Sequence, residues 1–308
     1  MKRETPHEAP REPSSVQSCE PPAELQPAFD PTTTTDLDPE SPQIVESAMA
    51  IGERRLHRLT FAHAVTALIG GLAVSFGSVA MAWTAGPWLS VLGYERAHWL
   101  GALAFPIGFV ILIIGKGELF TENFFVPVTG VMGRRGTVAE LLLLWASTLL
   151  FNLIGSLIFA LLVSRKGVLS ADAARFAVEL ARGKVTLAFG PSFMKGIFAG
   201  WLMTILTWLL LALRGQGSRL FVIYSIGFFI SACDFNHVVI SAAEVFTAMA
   251  LGESIGVSGW FARNFVPALL GNLVGGLVFV TVLGYVQAHS LRRSDRKQQE
   301  HRAGRDHV

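Results

Sequence analysis

The sequence is poor in charged residues and in cysteine. Aspartate, glutamate, lysine and arginine make up 16% of its 308 residues and 51% are hydrophobic, whereas a soluble domain carries about 25% charged residues. An ordinary soluble globular protein is therefore excluded. The net charge of +2 is too small to indicate a nucleic-acid partner. The two cysteines, Cys19 and Cys233, cannot form a disulfide framework or a zinc site.

Motifs for catalysis and metal binding are also missing. The sequence has no HExxH pattern, no glycine-rich phosphate loop and no Ser/His/Asp order typical of a hydrolase. His237 and Glu244 lie seven residues apart and share a helix face, but two ligands are too few for a metal ion. We therefore expect no enzyme activity, no catalytic residue, no metal site and no cofactor.

Charge and proline are concentrated at the ends of the chain. Residues 1–50 hold ten acidic and three basic residues and nine of the 14 prolines, and they lack the apolar stretch of a signal peptide. Such a segment cannot bury enough apolar surface to fold. Residues 289–308 hold six basic and three acidic residues. The composition predicts a disordered acidic tail over 1–50, a membrane domain over 51–288 and a solvated basic tail over 289–308.

The central part of the chain consists of long apolar stretches. A membrane-spanning helix needs about 20 apolar residues. Four stretches without a charged residue approach or exceed that length; they are residues 59–94, 141–164, 196–213 and 264–288. Two more, 97–132 and 220–251, are interrupted by polar residues at Lys116–Asn123 and Ser231–His237. If each interrupted stretch is one broken span, the chain has six spans, and the second and fifth are broken.

An internal repeat supports this division. Residues 152–159 read NLIGSLIF and residues 272–279 read NLVGGLVF, so the octamers match in residue type at an offset of 120. Because each half has three spans, the second half must be inserted upside down. The sequence therefore predicts an all-α polytopic membrane protein with a 3+3 inverted repeat. Interrupted spans at corresponding positions indicate the transport site.

His237 is the most informative single residue. An ionisable side chain within a membrane span is costly and is usually functional, whereas in a soluble core it is more often a satisfied structural group. The broken helices also leave free N–H groups, which attract anions. We therefore expect His237 to donate a hydrogen bond or a proton to a bound anion.

Basic residues near the span ends indicate the orientation. Four clusters, around Arg55, Arg135, Arg219 and Arg293, fall on one side of a six-span chain, which predicts two cytoplasmic termini. The loop 165–195 on the other side is also basic and contains a segment, Asp172–Arg182, that is compatible with an amphipathic helix. This loop either concentrates anions at the outer mouth or is simply solvated.

Three motifs resemble the formate/nitrite transporter family. Gly117–Asn123, with the sequence GELFTEN, resembles the family's loop in span two, and Asn236-His237 resembles its central histidine motif. Gly271–Gly276, with the sequence GNLVGG, resembles its span-six motif, and the resemblance covers residues 55–288. It implies an aquaporin-like fold with six spans per protomer and a homopentamer in which each protomer has its own pore.

The resemblance also assigns pore residues. It implies that His237 is the central histidine, Thr121 the threonine beside it and Asn272 an asparagine near it. Lys184 and Lys195 are both candidates for the lysine of the outer vestibule.

Two constrictions are implied in the same way. Leu119 and Phe120 match the cytoplasmic constriction, and Phe109 stands at a third position there that is usually aliphatic. Phe105 matches an aromatic residue of the periplasmic constriction. The sequence departs from the family pattern at Asn236, where formate channels often have glutamate, and at Ile230, where the aromatic partner is expected.

These features predict a channel or transporter for small monovalent anions of weak acids, formate first and nitrite second. We expect it in a bacterial inner membrane, with the anion, protons and the lipid bilayer as its partners. A neutral-solute channel of the aquaporin type is the alternative, although the paired Asn-Pro-Ala motifs of aquaporins are missing. A membrane enzyme has no catalytic constellation to support it, and a signalling protein that docks through the acidic tail is compatible with transport.

Overall fold

The described chain is almost entirely helical. The computed structural model describes residues 39–58 and 60–303, with side chains as far as residue 297, and this range contains no strand. Most of the acidic tail predicted over 1–50 therefore lies outside the described residues. The α-helices are α1 Ser41–Leu56, α2 Phe61–Ala85, α3 Leu89–Ala102, α4 Ile107–Ile114, α5 Val126–Met132, α6 Val138–Val163, α7 Ala171–Thr186, α8 Phe189–Ala212, α9 Gln216–Ala232, α10 Val238–Ala250, α11 Val257–Trp260, α12 Val266–Gly276 and α13 Leu283–Ala303. Short 3-10 helices cover Gly86–Trp88 and Phe120–Phe124, and π-helices cover Phe261–Phe265 and Leu277–Val282.

Several helical stretches are suited to a bilayer. Within the described residues, four are long and apolar enough to cross a membrane, and they cover Phe61–Ile114, Val138–Val163, Phe189–Ala212 and Val257–Lys297. The first of these has 54 residues, far more than the approximately 20 of a single crossing. The shorter helix Val238–Ala250 is also apolar.

Both predicted interruptions are present. After α4 ends at Ile114, Lys116 takes the left-handed backbone conformation with φ 59°, and the chain turns through the 3-10 helix Phe120–Phe124 into α5. After α9 ends at Ala232, Asp234 takes the same conformation with φ 52°, and α10 begins at Val238. A positive φ is unfavourable for a residue with a side chain, so each break is enforced by surrounding contacts.

Glycines bring two helix pairs into close contact. A Cβ at Gly71 of α2 would lie 2.0 Å from the carbonyl oxygen of Asn152 on α6. A Cβ at Gly200 of α8 would lie 2.2 Å from the carbonyl oxygen of Asn272 on α12. Only glycine allows backbones to approach this closely, as in the small-residue interfaces of membrane helices. The pairs α2–α6 and α8–α12 thus have the same kind of contact.

Helix α6 defines the two ends of the helical body. Helix α6 has 26 residues and is about 39 Å long. It begins beside α1, where Glu140 Oε1 lies 3.5 Å from His57 Nε2, and it leads at its far end into α7. We call these the α1 end and the α7 end. The amphipathic helix predicted over Asp172–Arg182 is confirmed as part of α7, which buries Phe176 and Leu180.

The boundary of the predicted acidic tail at residue 50 is wrong, because α1 begins at Ser41. Pro42 stands in the first turn, where a missing N–H costs nothing, and Glu40 N–H donates to Gln43 Oε1 at 3.1 Å. Ile44, Val45 and other apolar side chains of α1 pack in a cluster with Phe125 and Val126. The apolar spacing within residues 41–56 drives this packing, although the composition of residues 1–50 as a whole is that of a tail.

The beginning of the predicted basic tail is helical. Helix α13 continues to Ala303, and the side chains of residues 289–297 are exposed. Arg292 donates to the Pro42 carbonyl at 2.7 Å and to Glu46 Oε2 at 3.0 Å, and Arg135 donates to the other oxygen of Glu46. The hydrogen bonds from Arg135 and Arg292 lower the pKa of Glu46. The start of this tail therefore contacts α1 rather than solvent alone.

Candidate functional site

The two interruptions meet in the middle of the protein. Thr121 Oγ1, from the first interruption, lies 2.7 Å from His237 Nε2, from the second. Both side chains are fully buried. The resemblance described above implies that these two residues are neighbours although 116 positions separate them, and the structure brings them into hydrogen-bond contact.

Two asparagines hold the interruptions in equivalent ways. Asn152 Oδ1 accepts a hydrogen bond from Phe120 N–H, while its Nδ2 donates to the carbonyls of Ala67 and Glu118. The bonds to Phe120 and Glu118 supply partners that the broken span would otherwise lack, and the bond to Ala67 connects the loop to α2.

Asn272 repeats the arrangement in the second half. Its Oδ1 accepts from Val238 N–H, and its Nδ2 donates to the carbonyls of Gly196 and Asn236. Sequence reasoning placed Asn272 near the histidine and noted Asn152 only within the octamer. The structure shows that both support backbone, and neither hydrogen-bonds His237.

The hydrogen bonds of His237 define its tautomer. Its Nδ1 accepts from Ile240 N–H at 3.3 Å, which caps the N-terminus of α10. An acceptor nitrogen carries no proton, so in the neutral ring the proton is on Nε2. The Nε2–H group therefore donates to Thr121 Oγ1, and the hydroxyl hydrogen of Thr121 remains available to another acceptor. A second proton on Nδ1 would break the cap.

Asn236 faces away from the histidine toward other polar groups. Its Nδ2 donates to Ser192 Oγ at 2.7 Å, and its Oδ1 accepts from Asn264 Nδ2 at 3.1 Å. All three residues are fully buried. Sequence reasoning missed Ser192 and Asn264, because a serine and an asparagine at separate helix ends carry no pattern that links them to residue 236.

The loop carboxylate Glu118 belongs to a second buried network, at the α1 end of the site. Its Oε2 lies 3.3 Å from His63 Nδ1, and its Oε1 accepts from Asn123 Nδ2 at 2.8 Å. Asn123 Oδ1 in turn accepts from Arg55 of α1 at 3.0 Å. Glu122 Oε2 accepts from Leu119 N–H at 3.4 Å. These bonds fix the loop that carries Thr121.

The aromatic residues assigned to constrictions are all buried, but they have different neighbours. Phe120 packs edge-to-face against Phe124, with ring centroids 4.9 Å apart, and against Trp145. Phe105 and Phe109 pack edge-to-face at 5.7 Å. Leu119 and Ile230 are buried as well.

The candidate lysines meet at the α7 end. Lys184 is buried on α7 and is hydrogen-bonded to Asp234 Oδ1, and Lys195 of α8 donates to Asp234 Oδ2 at 2.7 Å. Glu244 Oε2 of α10 lies 4.0 Å from Lys184 Nζ. Burial acts to lower the pKa of Lys184, but the carboxylates of Asp234 and Glu244 raise it, and the net shift is upward. The structure thus brings both lysines to one carboxylate.

A small cavity connects this charged group with the apolar candidates. Phe105, Ile230 and His98 line it together with Lys184, Asp234 and Glu244. Sequence reasoning treated Glu244 only as an insufficient metal ligand. Its position two helical turns after His237, on the same face, was the signal for a shared pathway. In residues 39–58 and 60–303, no three His, Cys, Asp or Glu side chains converge as a metal site requires.

Solved structures of similar fold are membrane channels. The chain superposes on a structure described as an FNT family ion channel with a TM-score of 0.71, at 22% identity over 80% of this chain and 98% of that one. It superposes on a structure described as a pentameric formate channel with formate bound with a TM-score of 0.62, at 21% identity over 73% of this chain and 96% of that one. At these identities the likeness establishes the fold.

Similar sequences include transporters and channels from Bacillus. The uncharacterized transporter YrhG of Bacillus subtilis is 25% identical over 84% of this chain and 97% of its own length. The formate channel BtFdhC of Bacillus thuringiensis is 28% identical over 77% of this chain and 91% of its own length.

Long apolar helices around a buried polar centre define the class of helical membrane proteins. The pattern that describes the formate/nitrite transporter family matches residues 42–286, most of the chain. The protein belongs to the formate/nitrite transporter family, a family of transport proteins, as its motifs predicted.

Proposed function

We propose that the protein conducts small monovalent anions of weak acids across the membrane, formate first and nitrite second. The observation that carries this proposal is the buried 2.7 Å contact between Thr121 Oγ1 and His237 Nε2, which joins the two interruptions. The family and the formate channel among the relatives support the choice of anion.

Hydrogen-bond donors for an anion are available at this contact. His237 Nε2–H now donates to Thr121, and Thr121 has a hydroxyl hydrogen of its own. An anion between them accepts from both, and each hydrogen bond to a charged group contributes about 1.5–3 kcal/mol. A bare charge in the bilayer costs at least several kcal/mol. Sharing the Nε2 proton with the anion offsets part of that cost.

Apolar side chains on both sides of the histidine restrict what passes. Leu119, Phe120 and Phe109 form the cytoplasmic constriction in this proposal, while Phe105 and Ile230 form the outer one. Their burial supports narrow, dehydrating passages. Asn272 fixes the backbone beside the histidine, and Asn236 anchors the same turn to α8 through Ser192.

The proposed architecture is aquaporin-like, with six spans in a 3+3 inverted repeat. The equivalent hydrogen bonds of Asn152 and Asn272 support it. Each asparagine accepts from the backbone N–H on one side of a residue in an interruption, Leu119 or His237, and donates to the backbone carbonyl on its other side. The equivalent glycine contacts of α2 with α6 and of α8 with α12 support it as well.

Both termini are proposed to be cytoplasmic, in a bacterial inner membrane. Three of the basic clusters lie at the α1 end. The cluster around Arg55 belongs to α1, and Glu46 of the same helix pairs with Arg135 and with Arg292, which belong to the other two. Positive residues favour the cytoplasmic side. The α7 end, with Lys184 and Lys195, is then the outer mouth. Residues 1–40 are proposed to be an acidic cytoplasmic tail and residues 298–308 the end of a basic one.

The assembly is proposed to be a homopentamer in the lipid bilayer, with a pore in each protomer. A similar structure is described as a pentameric formate channel. Large apolar side chains such as Leu143, Leu150 and Leu162 are exposed along α6 of the isolated chain, and neighbouring protomers or lipid would cover them.

Flux into proteoliposomes tests the proposal. Wild-type protein should take up formate and nitrite faster than protein-free liposomes and should prefer them to water and glycerol. Thr121→Val keeps the volume and removes the hydroxyl, so the anion rate should fall about ten- to a hundredfold. Thr84→Val is the matched control, since Thr84 is exposed and bonds only its own helix at the Ala80 carbonyl.

Two outcomes would contradict the proposal. Rapid flux of water or glycerol without anion uptake would favour the neutral-solute alternative. Equal anion rates in wild type and Thr121→Val would mean that the contact with His237 is structural.

A further inference from the structure

The charged group at the α7 end is balanced. Lys184 and Lys195 contribute two positive charges, and Asp234 and Glu244 contribute two negative charges when both are ionised. The net charge of the group is then zero, so it has no excess positive charge with which to attract an anion.

Glu244 is the unusual member of this group. It is 6% exposed, and its Oε2 has no hydrogen-bond partner in the described structure. This oxygen lies 4.0 Å from Lys184 Nζ, too far for a hydrogen bond, and the carboxyl group lines the cavity shared with Phe105 and Ile230. Both lysines are hydrogen-bonded to Asp234 instead. A buried carboxylate without a full set of hydrogen bonds is costly, and protonation removes that cost.

Few other groups can control the protonation of Glu244. Lys184 faces it from α7 and Asp234 from the turn before α10, while His98 and Tyr94 face it from α3.

The other helices that pack against α10 place no charged side chain beside Glu244. Helix α2 contributes the neutral Ser78, and α12 has no ionisable residue. The only acidic residue of α6, Glu140, is at its opposite end, and Arg263 of the adjoining π-helix is exposed. The charge state of Glu244 therefore depends mainly on Lys184, Asp234 and the local solvent.

We propose that Glu244 sets the net charge of the outer mouth, and that a proton on Glu244 is required for an anion to bind beside Lys184. With Glu244 protonated the group carries one net positive charge, which matches a monovalent anion. With Glu244 ionised the anion meets a neutral group that contains a carboxylate. Glu244 is thus a specificity-determining residue that links anion affinity to outside pH, and this inference rests on the proposed function.

The dependence of apparent KM on pH tests this role. If the anion binds only the protonated form, the apparent KM of wild type should rise about tenfold per pH unit once Glu244 ionises. Glu244→Gln is neutral at every pH and should keep a low KM throughout. Glu244→Asp retains a carboxyl group and should retain the rise.

Two comparisons complete the experiment. Glu95→Gln is the matched control, because it removes an exposed acidic residue at the same end and should behave as wild type. Asp234→Asn leaves one net positive charge even when Glu244 is ionised, so it should lower KM at high pH. Asp234→Asn also provides a test if Glu244→Gln does not assemble.

The possible results separate the two proposals. Absence of anion flux in wild type would overturn the proposed function. If wild type transports the anion but the KM of Glu244→Gln rises with pH as the wild-type KM does, the role of Glu244 alone is overturned. A KM of Asp234→Asn at high pH that is no lower than that of wild type would have the same consequence. A low, constant KM in Glu244→Gln with a normal maximal rate is the result expected.

Discussion

Replacing Asn272 by leucine should destabilise the protein strongly while nearly keeping the side-chain volume. Leucine makes none of the three hydrogen bonds of Asn272, so Val238 N–H and the carbonyls of Gly196 and Asn236 lose a buried partner. Each buried group left unpaired costs about 1–3 kcal/mol. The Gly196 carbonyl keeps its helical partner within α8, so two groups are left unpaired, and even at the low end about 2 kcal/mol corresponds to a fall of roughly 4–8 °C in Tm.

The proposed inverted repeat provides the comparison. Asn152→Leu also removes three hydrogen bonds, to Phe120, Ala67 and Glu118, and should cost about as much. Asn264→Leu is the control, since this buried asparagine donates a single hydrogen bond and its Oδ1 has no partner in the described structure. It should lower Tm by about half as much or less.

Thermal unfolding of the three purified variants in one detergent measures these effects. We expect two large and similar shifts and one small shift. A shift for Asn264→Leu as large as the others would show that hydrogen-bond loss does not control the cost. A small shift for Asn152→Leu beside a large one for Asn272→Leu would contradict the proposed equivalence of the two halves.

Three further predictions concern other parts of the protein. Phe120→Ala should admit larger monocarboxylates such as lactate. The control Phe125→Ala, which removes an aromatic ring packed against Trp208, should not. The same size selectivity in liposome uptake for Phe120→Ala and wild type would mean that Phe120 only packs between helices. Gly200→Ala should impair folding because its Cβ would lie 2.2 Å from the Asn272 carbonyl oxygen, while Gly190→Ala on the same helix meets open space and should leave the yield of folded protein unchanged. Deletion of residues 1–38 should leave membrane insertion and oligomer size unchanged. Deletion of residues 1–48 should lower Tm, because it removes buried apolar side chains of α1 that each contribute about 1.5–3 kcal/mol; equal Tm values for the two deletions would contradict the packing of α1.

The sequence predicts the helical class and the two interruptions, because these depend on hydropathy and on local polar residues. The pairing of Thr121 with His237 is implied by the resemblance to the formate/nitrite transporter family. The sequence also predicts α7 from its amphipathic pattern. It fails at residues 41–50, where an average over acidic and proline-rich sequence conceals the apolar side of a short helix. Composition over a long window cannot detect a helix that is stabilised by contacts with α5 and α13.

The polar partners of the candidate site are harder to predict. The bond between Asn236 and Ser192 and the shared pairing of both lysines with Asp234 join residues on different helices. Such contacts depend on where helix ends converge, which no local pattern specifies. Asp234 is recognisable in the sequence only as an unusual acid near the histidine, and its two partners become evident from the fold.

The central hypothesis is that His237 supplies a proton or a hydrogen bond to the passing anion. The most direct measurement is formate and nitrite flux at saturating anion concentration between about pH 5 and about pH 8, in wild type and in variants of this residue. His57→Asn is the control, since His57 is exposed on the last turn of α1.

His237→Phe should assemble and lose pH-dependent transport, because the Nε2–H donor is removed and the remaining donor, the Thr121 hydroxyl, does not titrate in this range. His237→Asn keeps a donor that does not titrate and should conduct with a flattened pH profile, whereas His57→Asn should match wild type. Transport by His237→Phe at the wild-type rate and with the wild-type pH dependence would contradict the hypothesis and make His237 a structural residue.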